Sequence, residues 1–154
     1  MKMKNLLIEL VLPQHRVKKI LNKYIKNKNQ SGVGGYYYTY LRDRYAVKYG
    51  VEIGVSAMID GPIQFPHPRN ILIGEHVKLG KNATIFNNVT IGQNHGEYPI
   101  IGDNVTIYSG TIIIGGISIG NNVTIGANSF INKNVEDDVV IAGNPARVIE
   151  RRQK

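Results

Sequence analysis

Two short stretches hold the side chains best suited to chemistry: "FPHPRN" (residues 65–70) and "QNHGEYP" (residues 93–99). The first fixes an imidazole, His67, between two prolines, whose rings restrict the backbone and position the side chain at small entropic cost. Imidazole titrates near neutrality and accepts a proton from a hydroxyl as that hydroxyl attacks an electrophile. His67 is therefore the candidate general base, a surface loop histidine being the plainer alternative. The second stretch offers His95 and Tyr98 as supporting groups, although a loop histidine among Gly and Asn is commonly just solvated. His15 and His76 are read as structural or exposed. The chain of 154 residues has no cysteine, which excludes disulfides, thiolate nucleophiles and zinc-thiolate sites. That composition fits a reducing compartment, and a cytoplasmic location is expected.

What positions these side chains is a six-residue rhythm that both stretches interrupt. From Ile101 the sequence divides as IGDNVT, IYSGTI, IIGGIS, IGNNVT, IGANSF, INKNVE, and the phase extends back to Ile53, giving thirteen hexads ending with the one that Ile131 opens. Positions 1 and 5 carry Ile, Val and other small or β-branched residues and must face inward. Gly, Asn and Asp gather at positions 2 to 4, where they tolerate tight corners and positive φ. Segments this short cannot bury an apolar face singly, but stacked as coils they bury one aliphatic column and pair their backbones. The expectation is a mainly β fold, a parallel β-solenoid with three six-residue sides per coil. "NVT" at 88–90, 104–106 and 122–124 matches a glycosylation acceptor superficially, and corner asparagines explain it better.

The rhythm breaks twice: Phe65 to Ile73 spans eight residues and Ile91 to Ile101 spans ten. The two insertions fall on different corners, separated by a side's length of about 15–20 Å. Around a three-fold axis one subunit's first corner can face its neighbour's second. If both loops serve one site, that site lies between subunits.

Residues 1–50 carry eleven Lys and Arg against Glu9 and Asp43, a local net charge of +9, whereas residues 51–154 sum to −1. Such a basic head can meet an acidic partner or be a solvated helix face, and no nucleic-acid motif accompanies it. The opening "MKMKNLLIELVLPQHR" resembles a signal peptide, but its apolar run is short, contains Glu9 and lacks a cleavage site, so it reads as an amphipathic helix. Residues 5–28 read as helical with a kink or division at Pro13, "NKNQSGVGG" as a linker, and "YYYTYLRDRYAVKYG" as a second helix ending at Gly50. Its tyrosines serve packing or a sugar-binding surface. The expected organisation is a basic helical segment 1–50, a β-helix domain 51–146 and a basic tail 147–154.

The hexads, "HPRNILIGE", "NVTIGQNHGEYPIIGDNV" and "IAGNPARVI" resemble the left-handed β-helix acyltransferases. The serine acetyltransferase-like branch is the nearest, together with its relatives that acetylate surface polysaccharides, and the resemblance covers about residues 40–150. It implies left-handed coils, against the usual right-handed crossover rule, a homotrimer, acetyl-CoA as donor with no metal required, and direct transfer to a hydroxyl. His67 falls on that family's catalytic histidine, and Glu52, fifteen residues earlier, on the acid that orients it. Ser109, Gly110, Gly126, Ala127 and Asn128 fall on the backbone groove for the pantetheine, and Lys133, Arg147, Arg151 and Arg152 are candidates for the nucleotide phosphates. Two positions depart from the serine-using members: Pro66 replaces an aspartate suited to an ammonium group, and Tyr98 replaces a second histidine. The expected function is O-acetylation of a sugar hydroxyl of a surface polysaccharide or its precursor, with peripheral contact to membrane-linked glycan intermediates. The alternatives are serine O-acetylation for cysteine biosynthesis and a non-catalytic scaffold.

Overall fold

The computed structural model describes residues 13–27 and 33–152. Two helices, α1 (Pro13–Asn27) and α2 (Val33–Tyr49), precede fourteen short strands. The strands form three parallel faces of a prism, a left-handed β-helix of about five turns. The first face stacks β1 (Val51–Ile53), β3 (Ile71–Ile73), β6 (Thr90–Gly92), β9 (Ile112–Ile114) and β12 (Phe130–Ile131). The second stacks β2 (Met58–Ile59), β4 (Lys78–Leu79), β7 (Ile100–Ile101) and β10 (Ser118–Ile119). The third stacks β5 (Thr84–Ile85), β8 (Thr106–Ile107), β11 (Thr124–Ile125), β13 (Val139–Gly143) and β14 (Ala146–Arg151).

The hexad phase and the strand register coincide. Ile73 pairs with Ile91 and Ile91 with Ile113, so position-1 side chains stack directly over one another. Of the thirteen position-1 residues every one but Ile59 is buried, and Ile59 packs partly buried against the same column. Position 5 is interior in the ten uninterrupted hexads from Ala57 to Ser129, including Thr111 and Ser129, whose hydroxyls both bond the Gly126 carbonyl, whereas Val135 is partly buried and Arg69 and His95, in the interrupted hexads, are exposed. Position 4 takes the left-handed conformation at seven hexads: His76, Asn82, Asn88, Asn104, Asn122 and Asn128 have φ between 54° and 58°, and Gly110 has φ 75°. Asparagine and histidine tolerate this region better than most residues, which is why turn residues recur there.

The helices close the open end of the prism. Leu21, Tyr24 and Ile25 are buried in the core, and the Asn22 side-chain amide clips the first coil by donating to the Ile63 carbonyl and accepting from its N–H, at 2.9 and 2.8 Å. A coil end otherwise leaves backbone groups unpaired. Pro13 stands at the first position of α1, where its missing N–H costs nothing, while residues 5–12 lie outside the described residues.

Two expectations need correction. Helix α2 begins at Val33 rather than Tyr36, so Gly34 and Gly35 belong to it and not to the linker. Tyr36, Tyr37 and Tyr40 are exposed, and Tyr49 is partly buried against the core. Residues 147–151, most of the expected tail 147–154, belong with Ala146 to β14, which pairs antiparallel with β13 and so belongs to the third face.

Candidate active site

The two interruptions lie on different edges of the prism, as the spacing requires. The first, residues 66–70, turns the chain from the third face to the first. The second, residues 93–99, turns it from the first face to the second, a coil later.

At the first edge Pro68 is buried and His67 is exposed, so the proline anchors the loop and holds the imidazole outward. The His67 ring lies 6.3 Å from that of Phe86, tilted by 53°, and Phe86 stacks on Tyr108 at 4.8 Å and 21°. That spacing is the strand-to-strand spacing of the coils. Backbone bonds carry the edge onward: Phe86 N–H donates to the Ile107 carbonyl, Tyr108 to Ile125 and Gly126 to Ile141. The edge therefore runs from Pro66 through Phe86 and Tyr108 to Gly126 and Ala142.

The expected donor groove lies on this same edge. Asn128 N–H donates to the Ser109 carbonyl at 2.9 Å, and the Ser109 hydroxyl bonds Asn87 Oδ1 at 2.9 Å. Gly110 has φ +75°, and a Cβ there would collide with the Asn128 amide oxygen, while a Cβ on Gly126 would lie 2.8 Å from that of Ala142. Small residues thus keep the outer backbone open, with Ala127 exposed beside them.

The second interruption is a tight reversal. Asn94 and Glu97 exchange both backbone bonds, at 3.0 and 3.1 Å, with His95 and Gly96 between them at φ 51° and 82°. Two consecutive positive φ values define the hairpin turn that matches strand twist. His95 therefore serves first as a turn residue, exposed at the tip. Tyr98 packs edge-on against His76, centroids 5.1 Å apart at 77°, beside a shallow depression of about 370 Å³ that Lys78, Glu97 and Ser118 also line.

Glu52 sits at mid-strand on the outer surface of the first face, paired in register with Leu72. It lines a cleft of about 490 Å³ between that face and α2, together with Arg42, Asp43 and Glu75. The Glu75 carboxylate accepts from the Ser56 hydroxyl and from the Ser56 and Val55 N–H groups, which hold its pKa below the usual glutamate range. Among the described residues no hydrogen bond or ring contact joins His67, Glu52, His95 and Tyr98 to one another.

Of the four expected phosphate partners, Lys133, Arg147 and Arg151 line one cleft of about 130 Å³ at the last coil. Arg151 is already paired with Glu136. Arg152 is engaged elsewhere, donating to Thr124 Oγ1 at 2.7 Å and to the Asn122 carbonyl at 3.3 Å. Its guanidinium fastens the outer surface of the third face.

The bacterial transferase hexapeptide family, described as six repeats, matches residues 98–133. The chain is a hexapeptide-repeat β-helix protein. Residues of this hexapeptide-repeat chain are 38% identical over 117 positions to the serine acetyltransferase of Buchnera aphidicola subsp. Schizaphis graminum, covering 73% of this chain and 45% of that one. Soybean serine acetyltransferase apoenzyme superposes with a TM-score of 0.72 at 30% identity, covering 84% of this chain and 55% of that chain. A serine acetyltransferase in complex with CoA gives a TM-score of 0.68 at 30% identity, covering 86% and 54%. The hexapeptide-repeat chain spans about half the length of the curated relatives it matches.

Phe86 and Tyr108 are the residues beside the candidate base that the sequence does not single out, and His76, expected to be structural or exposed, packs against Tyr98. The signal was present: hexad position 2 holds Gly at 54, 74, 80, 92, 102, 120 and 126, and an aromatic at 86 and 108.

Proposed function

We propose that the protein is an acetyl-CoA-dependent O-acetyltransferase with His67 as general base. The observation that carries this reading is one edge that holds a proline-anchored imidazole and, two to three coils away, an open small-residue backbone at Ser109, Gly110, Gly126, Ala127 and Asn128. The acceptor hydroxyl oxygen attacks the thioester carbonyl while His67 takes its proton. The C–S bond then breaks, and the imidazolium returns the proton to the leaving CoA sulfur. Glu52 orients the imidazole once substrates bind, since catalytic hydrogen bonds often tighten only in the complex. Lys133, Arg147 and Arg151 receive the donor phosphates.

His67 and the 93–99 loop are separated by the width of the first face, so a neighbouring copy in a trimer supplies His95 and Tyr98 to the His67 edge. The similarity to serine acetyltransferases supports L-serine as acceptor more than the sugar hydroxyl expected from the sequence. The sugar remains a second reading, favoured by Pro66, which leaves no carboxylate beside His67 for an ammonium group. Among the described residues no helix is long and apolar enough to cross a membrane, and the reading places the reaction in the cytoplasm.

Thiol release from acetyl-CoA tests this, first with L-serine and then with a panel of sugars. Turnover with serine establishes the first acceptor, and turnover with sugars alone establishes the second. A His67→Ala variant that still turns over removes the mechanism, and no release with any acceptor favours a scaffold.

A further inference from the structure

The aromatic pair on the His67 edge plays no part in that mechanism, and the fold does not require it. Phe86 and Tyr108 occupy hexad position 2 at a corner, where the next coils manage with Gly126 and Ala142. Tyr108 remains 41% exposed, so the stacked rings form a step on the surface rather than a piece of the core.

We propose that this step seats the acyl-thioester end of the donor and limits the acyl chain it accepts. The inference rests on the reading of His67 as base and of the small-residue edge as donor groove. Small residues occupy the upper coils of the edge, while His67 stands at the bottom. A thioester carbonyl carbon must come within about 3–3.5 Å of the attacking oxygen, and that oxygen must hydrogen-bond His67. A donor arm descending from Gly126 to His67 crosses the two coils between them, a drop of three strand spacings or about 14 Å. Tyr108 and Phe86 are the edge residues of those two coils.

Aromatic faces suit that end of the donor, whose methyl and thioester sulfur carry no charge and gain from being taken out of water. Phe86 stands 6.3 Å from the imidazole, close enough that an acyl group lying beside His67 must touch it. A chain longer than acetyl has to displace the ring, and one methylene in a fitted pocket changes kcat/KM by about 10- to 200-fold. The transfer itself is unchanged: one C–O bond forms, one C–S bond breaks, and the proton ends on sulfur.

The test compares kcat/KM for acetyl-, propionyl- and butyryl-CoA in the wild type, Phe86→Ala, Phe86→Leu and Tyr108→Gly. The last substitution reproduces the residue that the next coil carries at the same position. Melting temperature and sedimentation are followed in parallel, and Phe86→Leu keeps the test open should the alanine variant not fold. The wild type is expected to prefer acetyl over butyryl by about a hundredfold or more, and the variants to narrow that ratio to under about tenfold with the acceptor KM unchanged. An unaltered ratio in folded variants overturns the inference, as does a change confined to acceptor KM or to subunit association. If the wild type releases no thiol, the function reading fails first. Calorimetric binding of the same three acyl-CoAs then decides the inference, and equal dissociation constants in the wild type overturn it.

Discussion

The His67 edge and the edge joining the second face to the third are built from one hexad pattern, yet they finish their backbones in opposite ways. On the latter, side chains of each coil cap the coil before it: Asp103 Oδ1 accepts from Lys81 N–H at 2.7 Å, Asn121 Oδ1 from Asp103 N–H at 2.8 Å, and Asp137 Oδ1 from Asn121 N–H at 2.8 Å. A second ladder runs beside it, Asn82 to Asn104 to Asn122 to Asp138, with amide bonds of 3.1, 3.0 and 2.7 Å. On the His67 edge such a ladder stops after Asn70 to Asn88, and aromatic and small residues take over. The difference shows where this fold spends polar side chains on itself and where it leaves backbone and apolar surface for something else. A sealed edge holds the coils together; an open one can receive a ligand.

That contrast breaks most readily at His67. Among the described residues its exposed side chain makes no fold-holding hydrogen bond, so His67→Ala should melt like the wild type while thiol release falls about a hundred- to ten-thousandfold. A variant that unfolds instead would make the open edge structural. Next in size, Gly110→Ala places a Cβ against Asn128 at φ +75° and should cost about 1–2 kcal/mol in urea unfolding. It should also raise the KM for acetyl-CoA, and a purely stability effect would count against the donor groove.

On the sealed edge the ordering should reverse. Asn104 combines φ 57° with two ladder bonds, so Asn104→Ala should lose about 1–2 kcal/mol with turnover intact. Asn104→Gly, which tolerates the same φ, should recover part of that loss and so separate strain from bonding. Lost turnover in either variant would erase the distinction between the edges.

The smallest effect belongs to the third edge, where Glu75 caps Val55 and Ser56. Its pKa is lowered in the folded state, chiefly by the Ser56 hydroxyl. The stabilisation is therefore present above the ordinary glutamate pKa of about 4.3 and disappears as pH falls through the lowered value. The melting temperature of Glu75→Gln should lie slightly below that of the wild type at neutral pH and converge with it in acid. Parallel curves across that range would remove the cap as the cause.

The prism was readable because a period of six, with Ile or Val in two fixed places, is satisfied by three-sided stacking and by neither a helix nor a flat sheet. The interruptions were readable for the same reason: each breaks a phase that is otherwise strict. Helix α2 was truncated in the sequence reading because Gly34 and Gly35 each cost a helix about 1 kcal/mol, and the tertiary cap overrides that preference. β14 went unseen because residues 146–151 pair antiparallel and no longer follow the hexad. Phe86 and Tyr108 were legible as exceptions to glycine at position 2, but read one hexad at a time they look like ordinary strand aromatics.

From the linear order alone came the column of isoleucines, the corners and the two loops at 66–70 and 93–99, since all of these are matters of spacing. Which groups end up on one edge was decided only in three dimensions. Register between coils joins residues some twenty positions apart, stacking Tyr108 on Phe86, setting His67 beside them and leaving Tyr98 with His76 one face away. Spacing along a chain fixes what faces inward; the stacking of coils fixes what a ligand can touch at once.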